Sequence, residues 1–145
     1  MGLDPGLAMR FDETGGPIYA RLDLRLGGCF NPRVQLGMDW RMDILAANGE
    51  HAVEKRQTIG PVLIVFLLRG WFARPYLHLG GLSPVYTSIG LQTGYELSFS
   101  RFGAFGMALG GDADVPFNGR PPLGYTAFAL LYLTAYDLRT RRGRD

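Results

Sequence analysis

The sequence predicts an all-β fold, an antiparallel up-and-down β-barrel of about eight strands that spans a membrane. Three observations predict it. Apolar residues recur with a period of two over long stretches, and the turns between these stretches are rich in Gly, Pro and Asn. The polar faces mix both signs of charge with glycine, as a narrow barrel interior requires.

Leu7 to Asp12 supplies the weakest of the strand signals. From Ile18 to Leu26, the residues Ile18, Ala20, Leu22, Leu24 and Leu26 alternate with Tyr19, Arg21, Asp23 and Arg25. From Val34 to Ile44, Val34, Leu36, Met38, Trp40, Met42 and Ile44 alternate with Gln35, Gly37, Asp39, Arg41 and Asp43. A helix would show spacings of three and four instead. Thr58 to Leu68 is apolar on both faces, which points to a dry section of the interior. Trp71 to Leu79 places Arg74 and His78 on one face and Ala73, Leu77 and Leu79 on the other. Val85 to Phe99 keeps strict alternation. Phe102 to Leu109 alternates Phe105, Met107 and Leu109 with Ala104, Gly106 and Ala108, and Tyr125 to Leu138 is the last strand. Each is close to the ~9–11 residues that a tilted membrane strand needs.

Glu13–Gly16, Gly28–Pro32, Arg69–Gly70, Gly80–Pro84 and Ser98–Arg101 read as short turns. Ala46–Arg56 and Asp112–Leu123 read as long connections. In chain order the second, fourth and sixth turns are short, and the long ones are third and seventh. A barrel with one periplasmic and one extracellular end produces that alternation, with both termini on the short-turn side. Residues 1–138 form a single barrel domain, and 139–145 form a charged tail.

Composition narrows the function. A chain of 145 residues is one domain. Its net charge is +2, and arginines scattered singly among apolar residues do not make a nucleic-acid footprint. The cluster Arg139, Arg141, Arg142 and Arg144 reads as a solvated end. Cys29 is the only cysteine, so neither a disulfide nor a Cys-based metal site is expected within the chain. The longest apolar run, Pro61 to Leu68, is far short of the ~20 residues of a membrane helix. Met1 to Gly6 lacks the basic and apolar stretches of a secretory signal, so export implies a signal outside this sequence.

Alternation alone fits a soluble barrel as well as a membrane one. Two features favour the membrane. Arg21, Asp23, Arg25, Arg33, Asp39, Arg41, Asp43, Arg74 and Glu96 form an expected interior polar network, with glycines and alanines filling the gaps between them. Phe30, Trp71, Phe72, Phe99, Phe102 and Tyr136 collect where the short-turn ends fall and read as an interfacial aromatic girdle. The soluble alternative is a lipocalin-like barrel whose apolar faces, with Trp40 and Met38, line a cavity for a small apolar ligand.

The segment Ile18-Tyr-Ala-Arg-Leu-Asp-Leu-Arg-Leu-Gly-Gly28, followed by Asn31-Pro-Arg-Val-Gln-Leu-Gly37, resembles the opening hairpin of small bacterial outer-membrane β-barrel proteins of the OmpA/OmpX-like or OmpW-like type. Gly60-Pro-Val-Leu63 leading to Arg69-Gly-Trp-Phe-Ala-Arg74 resembles their central hairpin, and Gly90-Leu-Gln-Thr-Gly-Tyr-Glu96 resembles a strand of theirs. The resemblance covers roughly Pro17 to Leu138. It implies residence in the bacterial outer membrane, an export signal, insertion by the barrel-assembly machinery and no cofactor, and it does not imply a catalytic set. Such proteins usually finish on an aromatic residue, whereas here Tyr136-Asp-Leu138 is followed by a basic tail. The family includes structural, adhesive, channel-like and enzymatic members, so fold alone leaves the role open.

Chemistry has few footholds. His78 with Ser88 or Ser98 and Glu96 supplies the residue types of a lipid hydrolase, the third reading after the structural barrel and the lipocalin. An interior histidine among polar partners is the simpler account. Glu50, His51 and Glu54 read as a solvated connection rather than a cation site, and Asp112, Asp114 and Asn118 as turn chemistry. No catalytic, cofactor or metal residues are assigned. A monomer with a structural or surface-interaction role, acting through its long connections, is the expectation.

Overall fold

The computed structural model describes residues 2–11, 18–45, 55–68, 70–81, 85–100, 102–117 and 124–135. They form eight strands: β1 (Gly2–Phe11), β2 (Ile18–Asn31), β3 (Val34–Leu45), β4 (Lys55–Leu68), β5 (Trp71–Gly80), β6 (Tyr86–Ser100), β7 (Gly103–Pro116) and β8 (Gly124–Ala135). Each pairs antiparallel with its neighbours in sequence, and β1 closes on β8. Closure leaves no strand edge, so the sheet satisfies its own backbone without water. Strands β2, β4, β6 and β7 run to 14 or 15 residues and extend past the alternating stretches that announce them.

The three two-residue connections between β2 and β3, β4 and β5, and β6 and β7 lie together at one end. Just before each, the ladder shifts register, at Cys29/Asn31, Phe66/Leu68 and Ser98/Ser100. An extra residue there bends the hairpin over the rim. Gly70 turns the second of them with φ of +88°, a conformation that other residues adopt at a cost.

Among the described strand side chains from Ile18 to Ala135, charge segregates: those that face outward are uncharged. Large apolar side chains fill that outward face, among them Leu26, Ile89, Met107 and Leu131, each more than half exposed. Arg, Asp, His and Glu point inward and are buried. A soluble barrel has the opposite arrangement, so this chain is built to meet lipid. Trp40 and Met38 project outward, Met38 half exposed. That overturns the lipocalin-like reading, in which they would line a cavity.

The interior is stratified. Near the short-turn end Val62, Ile64, Phe66, Phe72 and Tyr132 pack together, with Phe72 and Tyr132 edge-on at 5.4 Å between centroids. This apolar layer explains why the fourth strand reads as apolar on both faces. Phe72, expected in the girdle, is buried within it, because Trp71 takes the outward position of that pair. Phe30, Trp71, Phe99 and Phe102 are exposed beside the short turns, where Trp71 meets Tyr95 at 5.4 Å. Tyr136, the last of the expected girdle, lies outside the described residues, as does the tail 139–145.

Glycine admits these large interior groups. A Cβ on Gly90 would stand 2.2 Å from the Tyr76 hydroxyl and 2.8 Å from the Gly111 carbonyl oxygen. Replacing Gly90 with Val is expected to displace Tyr76 and cost roughly 1–3 kcal/mol, the usual range for overpacking. A lowered urea midpoint in lipid vesicles checks this, whereas an unchanged midpoint means Tyr76 has room to move.

Candidate functional site

Register places opposite charges face to face. Along β2 run Arg21, Asp23 and Arg25, and their partners on β3 are Asp43, Arg41 and Asp39. Cross-strand neighbours of opposite sign stabilise a sheet, and here both signs alternate on the buried face. Arg21 grips Asp43 through two nitrogens, Nε to Oδ1 at 2.7 Å and Nη2 to Oδ2 at 2.8 Å. Arg41 grips Asp23 in the same way at 2.9 and 3.2 Å. The guanidinium fork matches a carboxylate bidentately, which suits arginine to buried pairs.

The third pair departs from this pattern. Arg25 donates from Nη2 to the Thr134 hydroxyl at 3.1 Å, while Asp39 stands 3.6 Å from His78 Nε2.

Asp112 on β7 joins the two bidentate pairs across the lumen. Its Oδ2 accepts from Arg21 Nη1 at 2.9 Å, Arg41 Nη1 at 3.0 Å and the Tyr76 hydroxyl at 2.9 Å. Two guanidiniums on neighbouring strands would repel one another, and the shared carboxylate between them offsets that repulsion. Gln92 extends the network, donating to Asp23 at 3.3 Å and accepting from Arg74 Nη1 at 2.8 Å. Arg56 on β4 pairs with Asp114 on β7. Aromatic faces cover the guanidiniums, Phe128 at 4.4 Å from Arg21 and Tyr76 at 4.3 Å from Arg41.

Of the predicted interior residues, Arg21, Asp23, Arg25, Asp39, Arg41, Asp43, Arg74 and Glu96 are buried inside the barrel. Arg33 is not among them. It is exposed in the β2–β3 turn, where its N–H donates to Asn31 Oδ1 at 2.8 Å and its carbonyl accepts from the Phe66 N–H at 2.8 Å. Alternation counted Arg33 inward, but the strand begins one residue later.

Asp112 and Asp114 correct the other assignment. Far from belonging to a connection, they lie on β7 and are buried. Gly110-Gly-Asp-Ala-Asp114 reads as a turn by composition, yet it continues the phase set by Ala104, Gly106 and Ala108. That phase was the available signal. Arg56, assigned to the long connection, likewise lies on β4. Glu50, His51, Glu54 and Asn118 fall outside the described residues.

His78 and Ser88 are buried register partners on β5 and β6. The His78 ring is held instead by Thr58, whose Oγ1 lies 3.2 Å from Nδ1, and by the Tyr76 ring at 4.7 Å. Ser98 is exposed near the rim, and Glu96 is buried two residues before it. Among the described residues no group of three or more potential ligands could hold a metal ion.

Neither protein-family profiles nor curated protein sequences give a match to the chain. Solved structures do. The barrel is similar to Neisserial surface protein A (NspA) with a TM-score of 0.69 and 12% identity, covering 93% of this chain and 95% of that one. It is also similar to the outer membrane enzyme PagL with a TM-score of 0.61 and 11% identity, covering 94% of this chain and all of that one. The fold is therefore that of small outer-membrane β-barrels, consistent with the OmpA/OmpX-like type. One of the two structures belongs to a surface protein and the other to an enzyme.

Substituting Asp112 with Ala leaves Arg21, Arg41 and Tyr76 facing one another without their shared acceptor. A loss of ~3–5 kcal/mol is expected, as for other broken buried pairs. Arg33→Ala, at an exposed turn, should stay within about 0.5 kcal/mol of the parent. Urea unfolding in vesicles of the two variants side by side checks both; equal stabilities would mean that Asp112 is not a hub.

Proposed function

We propose that this chain is a bacterial outer-membrane barrel with a structural or surface-interaction role, neither a diffusion pore nor an enzyme. The observation that carries the reading is the segregation of charge. Among the described side chains, an uncharged, mostly apolar exterior surrounds an interior in which Arg21 and Arg41 are tied across the lumen to Asp112. Eight strands enclose space for side chains only, and here those side chains are large and bonded to one another. Recognition would then fall to the long connections, residues 46–54 and 117–123, at the end opposite the short turns. Insertion by the barrel-assembly machinery and a monomeric state go with this reading.

PagL is an enzyme on the same fold, which makes catalysis the second reading. Against it stands the setting of His78, buried among Thr58, Tyr76 and Asp39, with its register partner Ser88 buried as well and so closed to substrate. A hydrolytic triad needs its histidine hydrogen-bonded to the nucleophile and open to substrate.

Extraction and folding test the proposal. The purified chain should require detergent and migrate faster on an unheated gel than on a heated one. In planar bilayers it should give no steady conductance, and with phospholipid vesicles no fatty-acid release. A monodisperse detergent-free protein would sink the membrane assignment. Stable channels would overturn the plugged interior, and lipid hydrolysis lost in His78→Ala would establish the enzyme.

A further inference from the structure

We infer that Asp39 and His78 hold a single proton between them inside the barrel, so that folding is coupled to proton uptake. Asp39 is 1% exposed and His78 is fully buried. Both Asp39 carboxylate oxygens and His78 Nε2 lack any hydrogen-bond partner, and Oδ2 and Nε2 face each other at 3.6 Å. Elsewhere in the network the carboxylates of Asp23, Asp43 and Asp112 accept from guanidiniums at 2.7 to 3.2 Å. A buried carboxylate without a donor is costly, and so is a buried imidazole nitrogen without a partner. One proton relieves both.

The charges on the described inward side chains point the same way. The described inward faces carry the carboxylates of Asp23, Asp39, Asp43, Glu96, Asp112 and Asp114. Against these stand the guanidiniums of Arg21, Arg25, Arg41, Arg56 and Arg74. The acids exceed the cations by one, and Asp39 is the acid whose oxygens are both unbonded.

The groups acting on the pair come from every side. β2 presents Asp23, Arg21 and Arg25, and β3 presents Arg41. Asp112 acts from β7, and β5 supplies Arg74 together with Tyr76, stacked on the His78 ring. From β4 comes the Thr58 hydroxyl, and Ser88 on β6 is the register partner of His78. Arg41 is committed to Asp23 and Asp112, Arg74 donates to Gln92, and Arg25 donates to Thr134. Their bonds are directed elsewhere, which leaves the pair to satisfy itself. With the proton on Oδ2, Asp39 donates to His78 Nε2, and Nδ1–H donates to the Thr58 hydroxyl. With the proton on Nε2, His78 and Asp39 form an ion pair, and Thr58 is still the Nδ1 acceptor. Either way the pair is neutral overall.

The sign of the linkage follows. Above about pH 7 the unfolded chain has an ionised Asp39 and a neutral His78, so it holds no proton at these two groups. The folded chain holds one. Unfolding then releases a proton, and stability falls as pH rises; between the unfolded carboxylate and histidine ranges both states hold one proton and the dependence on this pair disappears. Asp39→Asn supplies an amide donor to Nε2 with no proton to lose.

Urea unfolding in lipid vesicles from pH 6 to 8 should show an unfolding constant that rises more steeply with pH in the parent than in Asp39→Asn, by up to about tenfold per pH unit while the folded pair keeps its proton. Groups common to both proteins cancel in that comparison. Equal slopes would overturn the inference. Nuclear magnetic resonance of the unaltered protein in detergent decides the matter even if the variant fails to fold. At pH 6 either the Asp39 carboxyl carbon should report a protonated acid or the His78 ring a protonated imidazole. An ionised Asp39 beside a neutral His78 at that pH would refute the shared proton.

Discussion

Every charge that faces the lumen of a narrow closed barrel must be neutralised by another charge in the same lumen. That constraint governs this molecule. Lipid surrounds the outer face and strands wall off the bulk of the solvent, so a guanidinium on β2 can turn only to its cross-strand neighbour or to the opposite wall. Arg21 does both, reaching Asp43 on β3 and Asp112 on β7. Arg41 does the same with Asp23 and Asp112. A buried ion pair seldom adds net stability over a well-packed apolar substitute. Its effect here is on specificity. A one-residue slip between β2 and β3 would turn these charges into the bilayer, so the pairs penalise every register but one.

The rest of the interior is arranged around that ladder. Large guanidiniums fit only where the opposing position is small, and glycines occupy such positions on β6 and β7. Gly90 lies against the Tyr76 hydroxyl that reaches Asp112, and Gly110 would carry a Cβ into the Phe128 ring that covers Arg21. Towards the short turns the ladder gives way to Val62, Ile64, Phe72 and Tyr132, which close that end with apolar packing. In the charged middle and the apolar floor, the described side chains hold one another across the lumen.

Much of this is legible in the sequence, and its limits have physical causes. Alternation in Ile18–Leu26 and Val34–Ile44 reveals the strands and the faces of Arg21 to Arg25 and Asp39 to Asp43, because a period of two is unambiguous over nine or more residues. The resemblance carried by the Gly28–Gly37 and Gly90–Glu96 segments points to the same fold. Asp112 is less visible. Gly-Gly-Asp favours turns in isolation, and only the pairing of β7 with β6 and β8 holds it extended, as Gly90 and Thr126 opposite Asp112 attest. Local propensity and tertiary context conflict there, and context prevails. Arg33 and Phe72 fail for a related reason. Periodicity cannot say at which residue a strand gives way to its turn, nor which of two adjacent aromatics faces out.

The division between satisfied and unsatisfied groups separates scaffold from chemistry. Catalysis needs a reactive group held in place with one valence left open, and Asp112 has none, since one of its oxygens already accepts three donors. Asp39 and His78 are among the inward groups with an unmet valence, open towards each other and buried from substrate. Their unmet valences point inward to a proton and not outward to a lipid. The same fold in PagL shows that such a barrel can carry an active site; on the described inward face of this one, the ion pairs that fix the register occupy the middle of the lumen.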